Sequence, residues 1–221
     1  MKKLPVIGAA AASLILVTPA AAQAAPPYDV AVGGSTVVGD HAFSAASVGG
    51  INFSTPLAAG NCTYISGMGQ AHSGTSMSGN YTGNTPADHP FTIEASTWAG
   101  CTEQFGTPLD FTQVGEWRFT SQDPTATAAQ TDTLSGTVSN VSFHIVDSSG
   151  TGLCDFWFTG SADAIFDETT QRLAFVEAGF DGSLSVENVS GNCLGMFAQG
   201  DPVDLQVSLS LSIPDGPLNI S

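Results

Sequence analysis

The sequence predicts an all-β protein, an antiparallel β-sandwich or barrel, on three observations. Period-2 alternation of apolar and polar residues recurs along the chain, whereas no stretch from Ala25 onward carries convincing 3.6-residue periodicity. The apolar segments are short and separated by polar, Gly-rich turns at the spacing of sandwiches and barrels. With 11% charged residues, the polar surface must be mostly Ser, Thr, Asn and Gln, a composition that favours strands and turns over helices.

In chain order, Ser66 to His89 is rich in Gly, Ser, Thr and Asn and reads either as a long mobile loop or as a hairpin with a weak core face, the favoured form being strands from Cys62 to Ala71 and around Ser76 to Tyr81 with a loop before Phe91. Phe91–Ala95, Leu109–Gln113, Glu116–Ser121, Val141–Ile145 and Cys154–Phe158 are short candidate strands, and Asp123 to Thr131 reads as a connection. Asp167 to Gln171 lies between Ala164-Ile165-Phe166 and Leu173-Ala174-Phe175, which predicts a hairpin. Arg172–Val176 and Ser183–Val189 follow as strands. The clearest strand is the last: Val203, Leu205, Val207, Leu209, Leu211 and Ile213 alternate with Asp204, Gln206, Ser208, Ser210 and Ser212. One face is wholly apolar and the other wholly polar, as in a strand lying on a core. Pro214-Asp215-Gly216-Pro217 ends it with turn chemistry.

Lys2 and Lys3 precede a 14-residue apolar run from Leu4 to Val17, and Ala22-Gln23-Ala24 supplies a small-x-small cleavage pattern. Residues 1–24 are therefore expected to be a secretory signal peptide, and residues 25–221 a single secreted β-rich domain, extracellular or in the cell envelope. The run is short of the ~20 residues that span a bilayer as a helix. The formal net charge of −16 becomes −18 once both lysines leave, and Arg118 and Arg172 remain as the strong cations against 20 carboxylates. Such a surface disfavours nucleic acid and anionic membrane as partners; a cell-envelope or small-ligand partner stays open.

The four cysteines, Cys62, Cys101, Cys154 and Cys193, are an even number in a chain expected to be exported, which points to disulfides. Three connectivities exist. Cys62 to Cys101 and Cys154 to Cys193 have the same spacing, and Cys62-x-Tyr64 parallels Cys154-x-Phe156 as Cys101-x-x-x-Phe105 parallels Cys193-x-x-x-Phe197. The reading is two pseudo-repeated halves, each with one disulfide that closes a loop worth about 4 kcal/mol in the chain-entropy model. Cys193 as a catalytic nucleophile would need a base or cation beside it. Its neighbours Leu194, Met196, Phe197 and Asp201 supply none, and His41, His72, His89 and His144 are remote in sequence.

The segments VENVSGNCLGMFAQGDPVDLQVSLSLS (186–212), STWAGC (96–101) and GEWRFTS (115–121) resemble those of small exported β-rich proteins of actinobacteria. The resemblance implies two cysteine pairs framing β-rich halves and a chain that ends in an alternating strand, and it implies no activity. More distantly, the cysteine framework is similar to that of secreted proteins named as activators of alkane oxidation.

The chain contains no Gly-x-Ser-x-Gly elbow, His-Glu-x-x-His, Gly-x-x-x-x-Gly-Lys or EF-hand loop. No catalytic, cofactor-binding or metal residue is assigned. Dispersed carboxylate pairs such as Glu94 and Glu116, and dispersed triads, leave no fixed spacing to read. His72 and His89, with Asp88, bracket the Gly/Ser-rich segment as potential metal ligands, although a His in a polar loop is more often a solvated side chain. His144 alternates with Phe143 and Ile145, which places it on the polar face of a strand. Asp147-Ser148-Ser149-Gly150 and Asp181-Gly182 offer oxygen ligands for Ca²⁺ but read first as turns. Trp98, Trp117 and Trp157 would form a carbohydrate platform only if they shared an exposed face. The leading expectation is a non-catalytic exported protein with a structural or binding role. A secreted hydrolase with a dispersed carboxylate or serine site, and a subunit of a β-barrel pore, are the alternatives.

Overall fold

The computed structural model describes residues 28–77, 89–121, 129–150, 152–177 and 183–221. The strands are β1 (Tyr28–Val32), β2 (Gly39–Ser47), β3 (Ile51–Ser54), β4 (Ala59–Cys62), β5 (Tyr64–Met77), β6 (Phe91–Ala99), β7 (Cys101–Glu103) and β8 (Pro108–Gln113). They continue as β9 (Trp117–Ser121), β10 (Thr133–Asp147), β11 (Cys154–Asp167), β12 (Arg172–Glu177), β13 (Leu184–Gly191), β14 (Asp204–Ser212) and β15 (Leu218–Ile220).

Every pairing is antiparallel, and the pairings close on themselves. β14 pairs with β2, β2 with β5, β5 with β6, β6 with β9, β9 with β10, β10 with β11, β11 with β12, and β12 again with β14. Short breaks join β2 to β3, β4 to β5, β6 to β7 and β8 to β9 within continuous staves, and β12 and β13 pair in turn along β11. The lower parts follow the same neighbours: β14 with β3, β3 with β4, β4 with β7, β7 with β8, β8 with β10, and β11 with β13. The result is an eight-stave up-and-down barrel, so of the two architectures expected from sequence the barrel is the one formed. Closure pairs every stave on both sides and removes the exposed edges that an open sheet presents.

Alternation builds the wall. On β14, Leu205, Val207, Leu209 and Leu211 are buried while Ser208 and Ser210 are half-buried and Gln206 and Ser212 exposed, as the sequence predicts. The Asp167–Gln171 hairpin also forms where expected. The two strands expected between Cys62 and Tyr81 are instead one: β5 runs unbroken from Tyr64 to Met77 through its glycines. Its low apolar content misled because one of its inward positions, like one on the adjoining β4, needs to be small. Phe43 and Phe53 face Gly69 and Gly60 across the strand pair, and a Cβ on either glycine would collide with the facing ring. The remainder of the 66–89 segment and most of the Asp123–Thr131 connection lie outside the described residues.

The bore is filled. Phe53 meets Phe111 and Phe158, Phe91 meets Phe166, and Trp117 meets Phe175, with ring centroids 5.3–6.0 Å apart. Each of these pairs joins staves three places apart around the ring, so the contacts run across the axis. Edge-to-face and tilted geometries of this kind add to the area that each ring buries.

Both disulfides clasp one end. Cys62–Cys101 links the second and third staves and Cys154–Cys193 the sixth and seventh, so the two bridges occupy equivalent places in the two halves. The spacing argument gave the right partners, but the matched flanks behave differently. Thr63 interrupts the stave after Cys62 and reverses its parity, leaving Tyr64 exposed where Phe156 is fully buried. Phe105 is likewise exposed where Phe197 is buried, stacked on Phe156 at 4.3 Å. Cys193 therefore anchors a loop, through the 3₁₀ turn Cys193–Gly195, that turns Met196 and Phe197 into the clasped end.

The opposite end is covered by β1 and β15. β5 outruns β2 and pairs with β1, which pairs with β15, and Val30, Leu218 and Ile220 are fully buried beneath this flap.

Candidate functional site

Under the flap, three residues remote in sequence converge. β2 carries His41, β5 carries Ser73, and the turn after β14 carries Asp215. His41 Nδ1 lies 2.8 Å from Asp215 Oδ2, and His41 Nε2 lies 3.0 Å from Ser73 Oγ. The connectivity is that of an acid–imidazole–hydroxyl relay. Ser73 Oγ also donates to Val37 O at 2.5 Å. With its one proton given to Val37 O, the Ser73 hydroxyl faces His41 Nε2 as an acceptor rather than a donor. This is the reverse of the proton flow that activates a nucleophile. Ser73 is moreover buried, and the 33–38 loop that supplies Val37 O holds it there.

A second relay lies beside the first on the outer side of the same strands. His72 Nδ1 is 2.8 Å from Asp40 Oδ1, and Nε2 is 3.5 Å from Thr92 Oγ1. His89 Nδ1 is 3.3 Å from Thr120 Oγ1. His72 and His89 are thus buried and hydrogen-bonded rather than solvated in a loop. The cause is strand extension: β5 carries His72 into the wall, where its N–H bonds to Pro90 O. Among the described residues no group of three or more His, Cys, Asp or Glu side chains is arranged to hold a metal ion.

Glu168 secures the flap. Its Oε1 accepts from Ile220 N–H at 2.6 Å and its Oε2 from Asn219 Nδ2 at 3.1 Å. Burial pushes its carboxyl up to about 7, with the Asp132 charge adding to the rise, against the hydrogen bonds that favour the anion. Glu103 at the clasped end moves the other way. Burial works against its charge, but the N–H groups of Phe105 and Thr107, both at 2.7 Å, outweigh that cost and hold it below the ordinary carboxylate value.

The remaining sequence candidates divide between the outer wall, the turns and the bore. Glu94 follows Ile93 and Glu116 precedes its cross-strand partner Trp117, so both lie on the same part of the outer wall, where Glu116 is ion-paired to Arg118. Asp147 accepts from Ser149 N–H and Leu153 N–H and so makes the turn expected of it; Asp181-Gly182 and Asp88 lie outside the described residues. The tryptophans share no exposed face, because Trp117 is buried in the bore and Trp98 packs inward on Phe111 and Phe143. Trp157 alone of the three faces outward, stacked on His144, whose Nε2 is 2.8 Å from Asp155. His144 therefore sits on the outer face that its alternation predicts. Neither His41, Ser73 and Asp215 nor Glu168 carried a sequence signal, since contacts such as those of His41, across 32 and 174 positions, follow from the closed fold alone.

Compared with known proteins, the chain matches no family model, no curated protein and no solved structure.

Proposed function

We propose that the chain is a non-catalytic exported protein of the cell surface or medium that acts as a rigid structural or binding module. The observation that carries this reading is the filled bore. Barrels that carry small ligands hold them inside the wall, whereas here aromatic rings meet across the axis. Recognition then falls to the outer wall and the ends. Two disulfides are compatible with an oxidising compartment, and the Leu4–Val17 run followed by Ala22-Gln23-Ala24 supports export. The outer wall favours this reading over a pore: residues such as Gln206, Ser208, Ser210 and Ser212 face outward where a membrane barrel presents an apolar band. Fractionation of culture medium, envelope and cytoplasm, with N-terminal sequencing of the exported form, tests the proposal. A chain starting at Ala25 outside the cytoplasm is expected; full-length protein with free thiols in the cytoplasm would overturn it.

One observation favours a second reading, a secreted serine hydrolase: the His41–Asp215 and His41–Ser73 contacts. It requires the 33–38 loop to release Ser73. A fluorophosphonate probe that labels Ser73, and fails to do so in His41→Gln, would establish it; an unlabelled Ser73 in the native protein rejects it.

A further inference from the structure

Resting on the exported, binding reading, we infer that the disulfide-clasped end of the barrel docks on an uncharged lipid surface through Leu57, Phe105, Leu153 and Leu194. Each of the four loops at that end contributes one of these residues: 55–58, 104–107, 148–153 and the segment after β13. Their exposures are 64% for Leu57, 73% for Phe105, 36% for Leu153 and 55% for Leu194, whereas Met196 and Phe197 beside them are buried.

The four loops are tied into one surface. Gln104 Nε2 donates to Leu57 O at 3.5 Å and contacts Met196 Sδ at 3.8 Å. Thr55 Oγ1 donates to Met196 O, and Cys193 N–H donates to Leu153 O at 2.9 Å. Both disulfides stand directly behind. The tips are therefore held in place before any partner arrives.

Backbone chemistry selects lipid as the occupant. Polar main-chain groups that enter an apolar layer must be satisfied within the protein, and several at these tips already are. Phe105 N–H and Thr107 N–H go to the Glu103 carboxylate, Leu194 N–H to Asn192 Oδ1, Leu153 N–H to Asp147, and Leu57 O to Gln104. The side chains that remain outside are single Leu and Phe residues on separate loops, which enter an interface one by one and need no complementary groove.

Charge selects the headgroup. Arg118 and Arg172 lie on β9 and at the start of β12, in the half of the barrel nearer the flap. Around the clasped end stand Asp110, Asp155, Asp201 and Asp204, at least partly exposed. An acidic collar behind apolar tips suits the outward choline groups of a zwitterionic bilayer and is repelled by anionic lipid.

Co-flotation with phosphatidylcholine vesicles and with phosphatidylglycerol vesicles tests the inference on the full exported protein. Binding to phosphatidylcholine is expected to exceed binding to phosphatidylglycerol. The exposed-site double variant Leu57→Ser/Phe105→Ser should lose roughly tenfold or more in partitioning, since it withdraws two large apolar side chains, with an unchanged circular dichroism spectrum. Val37→Ser/Val38→Ser, which removes equally exposed apolar residues from the flap end, should bind as the parent does. No flotation with phosphatidylcholine, equal or stronger binding to phosphatidylglycerol, or binding unaffected by Leu57→Ser/Phe105→Ser would overturn the inference. So would self-association in sedimentation velocity that those substitutions abolish, which would assign the tips to a second copy. A failed flotation leaves the export reading intact, because that reading is decided by fractionation.

Discussion

Gln171 binds Leu218 as a neighbouring strand would: its Nε2 donates to Leu218 O at 2.9 Å and its Oε1 accepts from Leu218 N–H at 2.8 Å. One side-chain amide thus completes the outer edge of β15, and Glu168 extends the imitation by taking the N–H of Ile220. The flap is sealed to the β11–β12 turn by side chains in place of a ladder. Gln171→Ala should leave both polar groups of the buried Leu218 backbone unpaired and cost about 1–3 kcal/mol. Hydrogen exchange at the Leu218 amide should speed up ahead of that of the barrel staves, and unchanged protection would refute the sealing role.

Leu209 and Ser210 test the inside and outside of the wall. Leu209→Asp places an unpaired charge in the core and should destabilise by several kcal/mol, whereas Ser210→Asp should change stability by well under about 1 kcal/mol. Urea unfolding of both variants gives the comparison. A tolerated Leu209→Asp would contradict the filled bore.

Glu168 predicts a pH dependence of definite sign. Its ordinary value is 4.5 and its folded value about 7, so between these the folded state binds more protons than the unfolded state. The stabilisation linked to its protonation is complete below pH 4.5 and is lost as pH rises through 7, a change of roughly 3 kcal/mol at most. Glu168→Gln should remove this slope from thermal melts recorded across the window. A slope that persists unchanged in the variant would assign it to other groups. Glu103, held below its ordinary value, acts in a separate window, its stabilisation being lost as pH falls through its folded value.

Removal of the Cys154–Cys193 bridge by the double substitution Cys154→Ala/Cys193→Ala should cost about 2–5 kcal/mol. It should also loosen the loop that carries Met196 and Phe197, read as faster exchange of the Met196 amide, which donates to Cys193 O. Equal stability with unchanged exchange there would show that the stacking of Phe197 on Phe156 suffices without the bridge.

Fold class was legible because burial and alternation act locally: each residue of 203–213 declares its own side of the sheet. Cysteine partners were legible because equal spacing survives in the linear chain. Closure was not, since it depends on β14 meeting both β12 and β2, whose paired residues are 28 or more positions away. β5 was split in the sequence reading because Gly69 gives up its side chain to the ring of Phe43 on the facing stave, and a glycine that accommodates a remote phenylalanine looks the same as one in a turn. The His41, Ser73 and Asp215 cluster was invisible for the same reason as closure. Exposure of Tyr64 against burial of Phe156 was hidden because a single residue, Thr63, reverses stave parity in one half and has no counterpart in the other.

The rings that meet across the axis also govern how the molecule answers compression. Hydrostatic pressure unfolds a protein by eliminating its internal voids, and a bore occupied by Phe53, Phe91, Phe111, Phe158 and Phe166 offers little void to eliminate. This barrel should therefore have a small volume change on unfolding and stay folded at pressures that collapse hollow barrels of the same strand number.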